Sequence, residues 1–350
     1  TVVWYSFDGV FGSTLGVVTS TILIFILFGA VLEALGIGAV LLKLSFRLTR
    51  RMPGGDAHAA VLASGLFGTI SGSAVANVVG TGVITIPMIK KRGFSGRFAA
   101  AVEAAASSGG QLMPPIMGAV AFIMADVTGI TYLNITLAAL IPALFYYASL
   151  FVFISTEAKR LGMKAASAID VEPLSRQEKL LCLAFVVPLG LIILLMVQGS
   201  SPAQAGFWAL ITAAVLGVVL QPQLLKSPKP LWRMIVNGAR SASTIMVAVA
   251  AVGIIIAAMN ATGLGLRFSE VIQAVSGDSL IFSLVLMAGG CLVLGMGMPT
   301  VPAYLVIILV MGPAVQSLGV ELIAAHLFVV YYAVLSSVTP PVALAAFAAA

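Results

Sequence analysis

The sequence predicts an all-α polytopic membrane protein made of two inverted-topology repeats, each holding one re-entrant helical hairpin and one broken helix. Three observations lead there. Apolar residues make up 61% of the 350 and charged residues only 9%, against roughly 45–50% and about 25% in soluble domains. Apolar runs of about 20 residues, the length that crosses a bilayer, recur along the chain, and mean hydropathy is +1.14. Basic residues and helix breakers fall into one threading and one repeat register. So little charge cannot cover a soluble surface, which excludes a water-soluble enzyme and a nucleic-acid binder. The net charge of +6 reports loop orientation instead.

Candidate spans are 14–35, 98–125, 131–156, 180–198, 205–220, 241–262 and 322–350. The stretch 59–89 is interrupted by Ser71-Gly72-Ser73-Ala74-Val75-Ala76-Asn77. As one helix it would put Lys43, Arg47, Arg50 and Arg51 across the membrane from Lys90, Lys91, Arg92 and Arg97, against the positive-inside rule. As a hairpin it returns both clusters to one side. Each leg of about 15 residues reaches roughly 23 Å, short of the roughly 30 Å hydrocarbon core, so the tip is expected to stop inside the membrane.

With that hairpin, loops 43–58, 90–97, 157–179 and 221–240 all fall inside and carry 17 of the 18 Lys and Arg; only Arg267 falls outside. The stretch 280–318 returns to the outer side. Its reading as a second re-entrant hairpin rests on an internal repeat. Glu33-Ala34-Leu35-Gly36-Ile37-Gly38 resembles Asn260-Ala261-Thr262-Gly263-Leu264-Gly265 at an offset of 227 residues. The same offset carries Ser73 onto Thr300 and Pro114 onto Pro341.

The two copies run in opposite directions, so the chain is expected to divide into a first repeat, 1–165 (hairpin 59–89, broken helix 98–125), and a second, 166–350 (hairpin 280–318, broken helix 322–350, truncated). Amphipathic segments 39–51 and 266–276 follow the paired glycine turns and suit helices lying in the interface. Span 131–156 finds no repeat partner before residue 350, Phe347 to Ala350 stop inside an apolar run, and Thr1 opens the chain. The sequence therefore reads as a piece of a longer protein. Inverted repeats with discontinuous helices mark secondary transporters.

Four breaks interrupt the apolar runs: 71–77, Ser107-Ser108-Gly109-Gly110-Gln111-Leu112-Met113-Pro114-Pro115, Gly295-Met296-Gly297-Met298-Pro299-Thr300, and Ser336-Ser337-Val338-Thr339-Pro340-Pro341. Gly and Pro free backbone groups that lipid cannot satisfy. One such break is ordinarily a kink or a close packing point. Four, paired by a repeat, point to a site. Released carbonyls with Ser, Thr and Asn oxygens suit a hard cation such as sodium, and half-helix N-termini suit an anionic group.

Single residues are read more plainly. Glu33 is expected in an interfacial or helix-packing role and Asp126 in solvent. Glu103 lies about 9 Å into the membrane by helical rise, where pairing with a loop cation and a functional role weigh equally. His58 is placed in a loop, His326 near the outer surface, and Tyr146 and Tyr147 in bundle packing. Met113 and Met298 shape or fill the breaks. Cys182 and Cys291 lack metal or disulfide spacing. No nucleotide loop, metal cluster or catalytic triad is present, so no cofactor and no enzymatic activity are expected.

The breaks carry a resemblance. Phe67-Gly68-Thr69-Ile70 leading into 71–77, together with the breaks at 107–115 and 295–300, resembles the large membrane (permease) subunit of TRAP transporters, the tripartite ATP-independent periplasmic transporters, in wording nearest the TAXI branch. The resemblance covers essentially the whole chain. It implies an elevator-type ion-transporter fold in a bacterial or archaeal cytoplasmic (inner) membrane. The implied activity is sodium-coupled uptake of an organic anion, a carboxylate. The implied partners are a periplasmic TAXI-type solute-binding protein and a small membrane subunit, or its fused equivalent. Related folds place sodium at each hairpin tip beside the facing broken helix. Carried onto this sequence, that gives Ser71, Ser73, Asn77, Ser108, Gly110 and Gln111 for one sodium and substrate region, and Met298, Thr300, Ser337 and Thr339 for the other.

Two other readings compete. The same core could work without a binding protein, as a sodium/dicarboxylate symporter; a binding-protein gene beside this one would separate them. An intramembrane enzyme would need paired acids or a His–carboxylate cluster, which the spans lack, and a channel would not need two opposed hairpins.

Overall fold

A computed structural model describes residues 9–163, 174–222, 228–263, 267, 270–271, 274–275, 279–317 and 319–350. These residues form helices and connecting turns, with no strand among them. In chain order the helices are α1 (Ser13–Ala34, π-wound over Val18–Ile22), α2 (Ile37–Thr49), α3 (Gly55–Ser71), α4 (Ala74–Lys91), α5 (Gly96–Gly110), α6 (Gly118–Thr128) and α7 (Tyr132–Arg160). They continue with α8 (Arg176–Val197), α9 (Pro202–Leu220), α10 (Pro228–Thr262), α11 (Leu280–Gly295), α12 (Thr300–Ser317), α13 (Leu322–Leu335) and α14 (Leu344–Ala349). Among the described residues five helices (α1, α7, α8, α9 and α10) are long and apolar enough to cross a membrane.

The expected spans 98–125 and 322–350 are each split. Between α5 and α6 lie residues 111–117; after α13 a 3₁₀ turn, Ser336–Val338, leads to a break before α14. Each second half opens after a non-glycine residue with positive φ, Met117 at 54° and Ala343 at 45°. Gly36 and Gly263, 227 residues apart, are both left-handed (φ 74° and 66°), the conformation that glycine adopts without steric cost.

One boundary is corrected. Residues 221–240 were expected as a loop, yet α10 begins at Pro228 and runs 35 residues, about 53 Å at 1.5 Å per residue. Proline suits a first helical turn, where its missing N–H has no intrahelical partner, and the basic residues that marked the loop are good helix formers.

The chain forms two compact units, each drawing on both halves of the sequence. One holds Leu23–Gly118, Ala139–Ser241 and Ala345–Ala350. Its centre is α3, where 12 of 17 residues are buried. Ala57, Ala60, Ala63, Gly65 and Gly68 keep that helix thin, so neighbours approach on several sides. Helix α4 folds back along it, and Arg92 closes the open end by pairing with Asp56 at 3.0 Å. Small residues also let α9 dock, since methyl groups on Gly206 and Gly217 would strike Phe25 and Leu35 at 2.8 and 2.6 Å. Helix α2 is tied to α8 by Lys43, which donates to Glu178 at 3.0 Å; Glu178 also completes a capping box with Ser175.

The other unit holds Thr1–Ile22, Ala119–Ala138 and Ala242–Leu344. Helices α11, α12 and α13 pack together there. Ser283, Met287, Cys291 and Gly295, four residues apart, make the buried face of α11. The amphipathic segment 266–276 lies largely outside the described residues.

Candidate functional site

The first site grows from the α3–α4 turn. Gly72, left-handed at φ 60°, ends α3, and the Ser73 hydroxyl caps α4 by accepting from the Ala76 N–H at 3.3 Å. Two close approaches bracket this tip. A methyl group on Gly68 would stand 2.5 Å from the Cα of Gly110, where α5 breaks. A methyl on Gly118, where α6 starts, would stand 3.0 Å from the Cα of Gly72. The break 111–117 therefore wraps the hairpin tip.

The sequence-derived residues occupy this neighbourhood as follows. Asn77 is fully buried, and its amide donates to the Ser64 carbonyl at 2.8 Å. The Ser71 hydroxyl is buried with no hydrogen-bond partner among the described residues. Such an orphan oxygen is costly unless something else satisfies it. Ser108 and Gln111 are buried at the end of α5, and Gly110 supplies its Cα to the seam with Gly68. Tyr146 and Tyr147 donate to the carbonyls of Ala105 and Ala106 at 2.8 and 2.9 Å, so the bundle-packing tyrosines also hold α5 just before its break.

The second site repeats the bracketing in its own unit. The Ser336 hydroxyl lies 3.0 Å from the Gly295 carbonyl, and a methyl on Gly297 would meet Val342 at 3.6 Å. Ser337 and Thr339 donate back to the carbonyls of Val334 and Leu335 at 2.7 and 2.8 Å. Thr300 opens α12, and the Met298 N–H donates to Gly295 at 3.3 Å.

One single-residue reading changes, and two others gain partners. His58 is not in a loop: it is buried in the first turn of α3, 3.2 Å from the Ser155 hydroxyl and stacked on Phe151. His326 is buried among its neighbours, with Nδ1 2.7 Å from the Tyr304 hydroxyl. Glu103 has no ion pair among the described residues. Its carboxyl group instead meets the hydroxyls of Ser64, Thr81, Thr85 and Ser107. Ser64, Thr81 and Thr85 were absent from the candidate set. Their signal was a polar stripe, Asn77, Thr81 and Thr85 at four-residue spacing, on an otherwise apolar helix. Glu33 and Asp126 are exposed, and both cysteines are free.

The family model for "Tripartite ATP-independent periplasmic transporter, DctM component" matches residues 8–350. This chain belongs to that family. As a DctM chain it is a multi-pass membrane component of a transporter, not an enzyme. It is similar to the 2,3-diketo-L-gulonate TRAP transporter large permease protein YiaN of Escherichia coli (strain K12), 24% identical over 320 residues, covering 91% of this chain and 74% of the relative. The sialic acid TRAP transporter permease protein SiaT of Haemophilus influenzae (strain 86-028NP) is 22% identical over 326 residues, 93% of this chain and 52% of that protein. The isethionate TRAP transporter permease protein DctMQ of Oleidesulfovibrio alaskensis is 38% identical over 91 residues, 26% of this DctM chain and 14% of the relative.

Proposed function

We propose that this chain couples sodium entry to uptake of an organic anion, a carboxylate, which a periplasmic binding protein of TAXI type delivers. A small membrane subunit, separate or fused, completes the assembly in the cytoplasmic membrane. The observation that carries the reading is the orphan Ser71 oxygen at a hairpin tip wrapped by a broken helix. A hard cation is the partner such an oxygen lacks. The relatives' printed substrates, a gulonate, a sialic acid and an isethionate, are all acids, which supports the anion. The tripartite family description supports a binding protein over the symporter alternative.

In this reading the two hairpins are re-entrant, and substrate crosses by an elevator movement. Helices α3 and α4, with 17 and 18 residues, reach about 26 Å, still short of the hydrocarbon core. The Asp56–Arg92 pair supports a shared side for both open ends. Single cysteines at Arg51 and Lys91 should therefore react with an impermeant thiol reagent only from the cytoplasm, and one at Ser200 only from outside. Labelling of Arg51 and Lys91 from opposite faces would remove the first hairpin.

The function is tested by uptake into proteoliposomes holding the full-length protein. Candidate dicarboxylates should accumulate only with both an inward sodium gradient and the binding protein. Uptake without the binding protein would favour the symporter, and uptake without sodium would refute the coupling.

A further inference from the structure

Glu103 is the one fully buried carboxyl group among the described residues. It lies midway along α5, and four hydroxyls on three helices surround it. Ser64 on α3 approaches at 2.9 Å, Thr85 on α4 at 2.6 Å and Ser107 on α5 at 3.2 Å; Thr81 on α4 is the fourth. A carboxyl group inside a membrane protein is expensive and marks function by default.

Two of the groups that hold Glu103 also hold Asn77. Thr81 Oγ1 lies 2.8 Å from the Asn77 carbonyl and 3.5 Å from Asn77 Oδ1. Ser64 offers its backbone carbonyl to the Asn77 amide at 2.8 Å. With the amide nitrogen committed, Asn77 Oδ1 is the atom left to face an ion. The cluster is not a demand of the hairpin architecture. Shifted by 226 or 227 residues, Glu103 falls on Val329 or Val330, and Thr81 on Ile307 or Ile308, all buried and apolar.

We propose that Glu103 is a positioning residue for the first hairpin's cation site: by gripping Ser64, Thr81 and Thr85 it fixes α4 against α3 and α5 and sets where Asn77 Oδ1 points. The proposal rests on the sodium reading above.

The test uses purified full-length protein and thermal melting in sodium chloride against choline chloride. Glu103→Gln keeps the shape but turns one acceptor into a donor, so either Thr85, which faces Oε2, or the three hydroxyls of Ser64, Thr81 and Ser107, which face Oε1, lose their acceptor. The half-saturating sodium concentration should rise about 5- to 50-fold, the scale of a lost charged hydrogen bond. Because Glu103 acts through Asn77, E103Q should add less than about twofold in an Asn77→Ala background, whereas E103Q and Thr300→Ala should multiply. Thr85→Val, which removes only one hydroxyl, should shift sodium in the same direction by about 2- to 5-fold, and Thr85→Ser should restore it. A merely structural Glu103 would lower the melting point in choline and leave the half-saturating sodium unchanged; that result, or multiplicative E103Q and N77A, overturns the proposal. If E103Q does not fold, an unchanged sodium dependence in T85V overturns it. Wild-type protein that gains no stability from sodium refutes the coupling itself.

Discussion

Asn77→Ala should raise the sodium concentration for half-maximal uptake by about 5- to 150-fold, since one lost ligand or unsatisfied buried partner costs about 1–3 kcal/mol. The residue is fully buried, and its amide already donates to the Ser64 carbonyl at 2.8 Å. Alanine therefore removes Oδ1 from the tip and also takes a second donor from that carbonyl, which keeps its bond within α3. Part of the loss is structural, so a second variant separates the two. The Ser71 hydroxyl has no hydrogen-bond partner among the described residues, so Ser71→Ala breaks no bond that the fold uses. It should melt like the wild type in sodium-free buffer and still need more sodium for uptake. Thr300 stands at the tip of the other hairpin, in the other unit. Its alanine variant should act independently, with fold-changes that multiply. A Ser71→Ala protein with unchanged sodium dependence would show that the orphan oxygen faces no ion.

The breaks were legible because glycine and proline interrupt apolar runs wherever they fall, and lipid makes each interruption expensive. The bracketing of each tip by its broken helix was legible only as a register: Gly68 and Gly110 are ordinary glycines until the fold brings their backbones together. The Glu103 cluster was harder still. Ser64, Thr81, Thr85 and Glu103 come from three helices, and hydroxyls are common in membrane helices, where they bond their own backbone. Thr85 does lie 3.1 Å from the Thr81 carbonyl as well. Depth by helical rise left pairing with a loop cation and a functional role equally open for Glu103, and nothing in the spacing pointed to hydroxyls on two other helices. The start of α10 was missed for a different reason. Loop assignment followed basic residues, and a helix can carry those past the bilayer.

Gly68→Val should cost the protein more than about 3 kcal/mol of stability, beyond the usual 1–3 kcal/mol of overpacking, because the obstacle is backbone. Even a single methyl on Gly68 would stand 2.5 Å from the Cα of Gly110 and 2.9 Å from the Asn77 amide nitrogen. The reciprocal methyl on Gly110 would stand 2.5 Å from the Cα of Gly68 and 3.1 Å from the Ser64 carbonyl oxygen. The nearest obstacle in each case is backbone, and the Asn77 amide is held on the Ser64 carbonyl, so α3 and α5 must part along their length. Parting them pulls Ser64 from Glu103 and opens the seam beneath the tip. Gly68→Ala should therefore lower both the melting temperature and the sodium affinity. Gly68→Ala with Gly110→Ala should cost less than the sum of the two, because the first methyl already creates the space that the second needs. Gly190, on an exposed face of α8, has nothing within 4 Å of a methyl group. Its alanine variant should hold or gain up to about 1 kcal/mol from helix propensity. The sign thus reverses between two helical glycines according to what lies across from them. A Gly68→Ala protein that melts with the wild type would mean that α3 and α5 do not touch backbone to backbone, and the first site would lose the wall that shapes it.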